Sequence, residues 1–277
     1  MPVIDFRFRP HTPDTVAGIN AANPIYGEMF TLFGVPERTR AESLESIVAD
    51  LKAHDVVKAV VTGRDVETTY AVPSGNPWVL DLMRAYPDMF VGYAGLDPHK
   101  GMAALDELSR MVDLGMRGAS LDPYLAHLPA NHARFYPIYA KCCELNIPVV
   151  ITAGAGTRIR GAVMDDAHPR HIDEVARDFP ELRIVISHGC YPYVAEVLML
   201  VQRHRNVYLE LSEYERMPFA EAYFQAANTF LKDRILFASA HPFINIKTQL
   251  EIYASLPLSD EVRPLVMHDN AARLLEL

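Results

Sequence analysis

The chain has 277 residues, half of them hydrophobic, which suits one large (β/α)-type domain or two smaller ones. Net charge is −9 with no long basic run, which argues against a nucleic-acid partner. No apolar run is long enough to span a membrane, and the N-terminus enters a strand at once rather than showing a signal-peptide pattern.

The first strand is Ile4-Asp5-Phe6-Arg7-Phe8-Arg9-Pro10. Strict alternation places Ile4, Phe6 and Phe8 on one face, suited to a packed helix layer, and Asp5, Arg7 and Arg9 on the other. Two arginines on an otherwise interior strand are expensive unless paired or used. An irregular region follows to about Phe33, and residues 10–40 read as a lid or insertion over a site. Helical spacing covers Ala41 to His54, a β-branched strand Val56 to Thr62, and a Pro-started helix Pro77 to Tyr86. A strand at Phe90 to Leu96, a helix at Met102 to Val112 and a strand at Arg117 to Leu121 come next.

The second half keeps the rhythm. Helices are predicted at Ala133 to Leu145, His171 to Phe179, Tyr193 to His204 and Phe219 to Leu231. Strands alternate with them at Pro148 to Thr152, Leu182 to Ser187, Val207 to Leu211 and Ile235 to Ala238. Helical segments near Ile246 to Ser255 and Glu261 to Leu275 end the chain. About eight strands alternating with helices predict a closed (β/α)8 TIM barrel in a single α/β domain over residues 1–277. The absence of Gly-x-Gly-x-x-Gly after the first strand argues against a dinucleotide fold. Cys142, Cys143 and Cys190 lack zinc-like spacing and read as reduced thiols of a cytoplasmic protein. The helical exterior of such a barrel suits a homodimer.

Chemistry in such a barrel sits at the carboxyl ends of the strands. That selects Arg7 and Arg9, Arg64, Asp97 and His99, Asp122 and Tyr124, Thr152 and Arg158, His188, Glu210 and Ser212, and Ala240 and His241. Val207, Leu209 and Leu211 share one face, so Tyr208, Glu210 and Ser212 point into the barrel.

Several stretches carry a family resemblance. They are Gly115 to Pro123 (Gly-x-x-Gly-x-x-Leu-x-Pro), Arg134 to Tyr139, Leu145 to Val149, Leu182 to Gly189, Arg234 to Phe243 and Asn270 to Leu275. In order and spacing they resemble the amidohydrolase-related group that contains aminocarboxymuconate-semialdehyde decarboxylase and 2-pyrone-4,6-dicarboxylate lactonase. The resemblance covers essentially the whole chain and implies a (β/α)8 barrel.

The departures from that pattern carry more. Metal-holding members have His-x-His after strand 1, where this chain has Arg7 and Arg9. They have His after strand 5 and Asp after strand 8, where this chain has Thr152 and Ala240. Of these positions only the strand 6 histidine remains, as His188. One imidazole does not hold a catalytic divalent ion, which takes about three protein ligands, so no metal and no other cofactor is expected. The lactonase branch works without metal but keeps the strand 8 Asp.

Arginine binds a carboxylate bidentately or stabilises an oxyanion, and it does not deliver hydroxide. The base is then His188, Glu210 or His241, and the sequence leaves that choice open. Arg7 or Arg9 with Glu210 also reads as a buried structural ion pair. Arg64 and Arg158 read as solvated loop charges or as substrate contacts. Tyr124 reads as lid packing or a substrate contact, and Thr152 and Ser212 as polar wall. His241 also reads as a strand-end cap, and Asp122-Pro123 as turn chemistry. Asp5 either braces the arginines or caps the barrel bottom. The expected partner is a small anionic molecule. The leading expectation is a metal-independent hydrolase of a lactone or other cyclic carboxylate. A carboxy-lyase of the same family and a catalytically silent barrel that binds a small anion are the alternatives.

Overall fold

The computed structural model describes residues 1–18, 25, 27, 40–154, 159 and 161–277. Eight parallel strands run in sequence order: β1 (Val3–Asp5), β2 (Val56–Thr62), β3 (Phe90–Gly95), β4 (Gly118–Leu121), β5 (Val149–Thr152), β6 (Ile184–Ser187), β7 (Val207–Glu210) and β8 (Ile235–Leu236). Helices such as Leu44–Ala53, Asn76–Ala85, Met102–Asp113 and Val194–Arg203 carry the chain from one strand to the next. The TIM barrel predicted from the strand–helix rhythm is the observed fold.

Alternation along the strands separates two apolar layers. Ala59, Val61, Val149, Ile151, Ile186 and Leu209 pack outward against helix residues including Leu51, Val79 and Leu108. Their neighbours Val60, Val150, Val185 and Tyr208 join Ile4 and Leu236 in a separate cluster, the barrel lumen. Ala271, Leu274 and Leu275 of the helix Asn270–Leu275 belong to that inner cluster. Arg183, just before β6, donates to the Leu274 carbonyl at 3.5 Å. The final helix therefore plugs the end where the strands begin and leaves the carboxyl end for polar residues.

The seam between β1 and β8 differs from strict alternation. Phe6 N donates to Phe237 O and Arg9 N to His241 O, both at 3.0 Å, which closes the barrel. Between them the chain bends at Phe6 and Arg7. There the Asp5 carboxylate replaces the ladder, accepting from Arg7 N at 3.0 Å, Ser239 N at 2.9 Å and Ser239 Oγ at 2.5 Å. A buried backbone donor needs a partner, and a side-chain carboxylate supplies it across the bend. The bend corrects the predicted faces: Ile4 and Phe6 line the lumen, whereas Phe8 packs in the outer layer. Asp5 thus stitches the seam and holds Arg7 by its backbone, not by its guanidinium.

A short helix, Pro13–Gly18, lies inside the stretch read as a lid. Most of residues 19–39 and Arg158 lie outside the described residues. Cys142 and Cys190 are buried and Cys143 partly so, and all three are free thiols. Among the described residues no helix is long and apolar enough to cross a membrane.

Candidate active site

Above the apolar lumen, the strand ends bring Arg7, Ser187 and Glu210 together. Arg7 Nη1 donates to Ser187 Oγ at 2.7 Å, and Ser187 Oγ donates to Glu210 Oε1 at 2.5 Å. The guanidinium and the carboxylate are 4.0 Å apart, and both are buried. Glu210 also accepts from His188 N at 3.3 Å and Ser212 N at 2.9 Å. Its inward orientation is the one read from strand parity. With donors on both oxygens, Glu210 is suited to holding charge and geometry rather than to removing a proton. Arg7 Nε is buried and has no hydrogen-bond partner among the described residues.

His188 stands beside this network. Its Nδ1 lies 3.0 Å from the Ser212 carbonyl and 3.1 Å from Ser212 Oγ. A carbonyl only accepts, so this contact assigns the proton to Nδ1 and leaves Nε2 with the lone pair. Burial first, then the Arg7 charge, hold the imidazole well below its ordinary value despite the Ser212 bond. Neutral at pH 7, His188 thus carries a lone pair on Nε2 that can accept a proton. The residue sits in the left-handed region, with φ 59°. A Cβ on Gly154 would lie 2.6 Å from His188 Cβ, so only glycine at the end of β5 lets the ring take this place.

The opposite wall is also charged. Arg64 grips Asp122 with two parallel bonds, Nε to Oδ2 at 3.0 Å and Nη2 to Oδ1 at 3.2 Å. Burial raises the Asp122 carboxyl, but Arg64 and then Arg7 outweigh it, and the net shift is downward. Arg64 is therefore no solvated loop charge, and Asp122 is more than a turn residue. Thr152 lies near enough to Asp122 to favour its charged form, yet its buried hydroxyl makes no hydrogen bond of good geometry. Arg9 donates to Thr62 Oγ1 at 3.2 Å and lowers the His188 pKa with Arg7. Tyr124 is buried in a small apolar cluster with Ile25, Val66, Leu125 and Ile159, which favours its packing role.

His241 corrects an expectation. Its ring stacks on Phe8 of the outer layer at 4.6 Å, and its Nε2 meets His11 Nδ1 at 2.6 Å. Burial, then His11, bring it down to about 3. Along the end of β8 the odd positions face outward, so His241 sits in the wall and not with Arg7 and His188. Conversely, Glu213 belongs to the site although its chemistry is not visible in strand parity, because it follows the end of β7. Its Oε2 is 3.6 Å from His188 Nδ1. Burial pushes its carboxyl up to about 7, against Arg7 and with Glu210 adding to the rise. The acidic spacing Glu210-x-x-Glu213-x-Glu215 is the signal that marks it.

Residues 35–277 match the family model described as amidohydrolase. The chain belongs to the amidohydrolase family. A TIM-barrel protein from Bordetella bronchiseptica, itself uncharacterized, is 29% identical, with a TM-score of 0.83 over 100% of this chain and 99% of that one. A 5-carboxyvanillate decarboxylase from Novosphingobium aromaticivorans, solved with manganese, is 16% identical, with a TM-score of 0.73 over 100% and 96% of the two chains. Among curated proteins, a 2-keto-4-carboxy-3-hexenedioate hydratase from a Sphingobium strain is 29% identical over 133 residues. That match spans 41% of this chain and 39% of the hydratase.

The manganese of that solved relative raises the question of whether a metal fits here. Arg7, with Nη1 bonded to Ser187, brings positive charge to the strand ends, and Thr152 and Ala240 offer a neutral hydroxyl and a methyl group. Among the described residues no three His, Cys, Asp or Glu side chains converge to hold a metal. The donor set does not fit a catalytic divalent ion.

Proposed function

We propose that this amidohydrolase is a metal-independent hydrolase of a small anionic substrate, a lactone or other cyclic carboxylate. The observation that carries the reading is the His188 tautomer: Nδ1 is committed to the Ser212 carbonyl, and the neutral ring offers Nε2 as a base beside two arginines. In this reading a water O–H bond breaks, its proton passes to Nε2, and the oxygen bonds to the substrate carbonyl carbon. Arg7, whose Nε has no partner among the described residues, and Arg9 bind the substrate carboxylate and the developing oxyanion. Collapse of the tetrahedral species breaks the ring C–O bond, and His188 returns its proton to the leaving oxygen. Arg64 and Asp122 form the opposite wall, with Thr152 and Ser212 as polar contacts.

A second reading has the same base and is favoured by the hydratase relative: addition of water across a double bond conjugated to a carboxylate. Incubation with a panel of lactones, cyclic carboxylates and unsaturated dicarboxylates tests both. Hydrolysis releases one acid equivalent per ring opened, whereas hydration releases none and bleaches the conjugated absorbance. Release of carbon dioxide would instead assign a decarboxylase. Thermal stabilisation by these anions without turnover would assign a binding barrel.

A further inference from the structure

Glu213 follows β7 by three residues and takes part in no step described above. Its backbone is held in the left-handed region at φ 74°, a costly conformation for a non-glycine residue. That conformation brings Oε2 to 3.6 Å from His188 Nδ1, on the ring edge already bonded to Ser212. The arrangement is a carboxyl behind a base, on the side away from the nitrogen that accepts a proton.

We propose that Glu213 is a positioning residue for His188, whose carboxylate holds the positive charge the ring acquires when Nε2 takes a proton. The proposal rests on the hydrolytic reading of the same site. In the free protein near neutral pH His188 is neutral and Glu213 is close to half-protonated, so the contact carries little ionic attraction. Once the proton moves from water to Nε2, imidazolium and carboxylate face each other, and the pair is stabilised in a site of low dielectric. When the proton leaves for the departing oxygen, both groups return to their starting state. The other titratable and charged groups facing this pair are Arg7 and Arg9 just past β1, Asp122 beyond β4, Glu210 on β7 and Glu215 beyond it. The two guanidiniums oppose imidazolium formation, and the carboxylates favour it. Glu213 is the acid nearest the protonated nitrogen.

The test compares the intact protein with Glu213→Gln and Glu213→Asp. Imidazole NMR follows the His188 ring resonances with pH, and the lactone panel supplies kcat and KM. Glu213→Gln is expected to remove the inflection that Glu213 ionisation imposes on the His188 ring resonances near pH 7, to reduce kcat by roughly 10²-fold, and to leave KM nearly unchanged. The intact protein's kcat is expected to rise with pH near neutrality as Glu213 ionises, and Glu213→Gln removes that rise. Glu213→Asp keeps the charge one methylene shorter and restores part of both effects. An inflection of the His188 resonances near pH 7 that persists in Glu213→Gln overturns the proposal, whatever the panel shows. Loss of that inflection in a protein that opens no lactone supports the pairing and overturns hydrolysis instead.

Discussion

Arg7 and Glu210 face each other across 4.0 Å with the Ser187 hydroxyl between them, donating to the acid and accepting from the guanidinium. The three groups come from β1, β6 and β7, so one buried polar chain ties distant strands at the catalytic end. Removing one partner of such a pair leaves an uncompensated charge. Arg7→Met is therefore expected to cost about 3–5 kcal/mol of stability. The double variant Arg7→Met/Glu210→Gln should recover a large part of that loss. Urea unfolding of the cycle checks it, and a double variant no more stable than Arg7→Met would rule out the ionic coupling.

Gly154 and His188 make a second pair. A methyl group on Gly154 meets the His188 Cβ at 2.6 Å, an atom fixed directly to the backbone, with little room to yield. Gly154→Ala should displace the base and lower kcat by roughly 10²-fold. The barrel should still fold, and the far-ultraviolet spectrum with the unfolding midpoint separates the two effects.

His241 should matter for the wall and not for the chemistry. Its ring stacks on Phe8 and bonds to His11. His241→Phe keeps the stack and is expected to retain turnover within a few-fold, while His188→Gln abolishes it. Comparable losses in both variants would return His241 to the list of bases.

Stability should rise as pH falls from about 8 to 6.5. Asp5 and Glu213 titrate at about 7 and Glu215 at about 8, each raised mainly by burial. Their ordinary values are 3.8 and 4.5, so the folded chain holds protons that the unfolded chain has released. The resulting penalty is absent below the ordinary values, grows as pH rises, and is complete above the folded ones. Below about 6.5 the opposite contribution begins, because the unfolded chain protonates His188 and His241 while the folded chain keeps them neutral. Thermal midpoints across this range measure the slope, and Asp5→Asn should flatten it.

Periodicity made the barrel legible, because β2, β5 and β7 are short runs whose parity decides lumen from outer layer. It also placed Glu210 inward. It placed Phe8 against the helices but misplaced Ile4 and Phe6, because a bend at Phe6 and Arg7 held by Asp5 shifts the faces by one residue, and the bonds that allow it come from Ser239, more than 200 residues away. His241 was ambiguous for a related reason: beyond a strand end, proximity in sequence does not say which side of the wall a ring takes. Arg64 looked solvated because Asp122 lies two strands away in the chain. Glu213 went unrecognised as a functional residue because its orientation comes from a left-handed backbone that no hydropathy pattern encodes.

The most direct measurement is lactone opening by protein exhaustively treated with a chelator and checked by elemental analysis. The account predicts undiminished turnover at metal contents below about a tenth of an equivalent, and its loss in His188→Gln. Turnover that appears only after manganese or zinc is restored would contradict it.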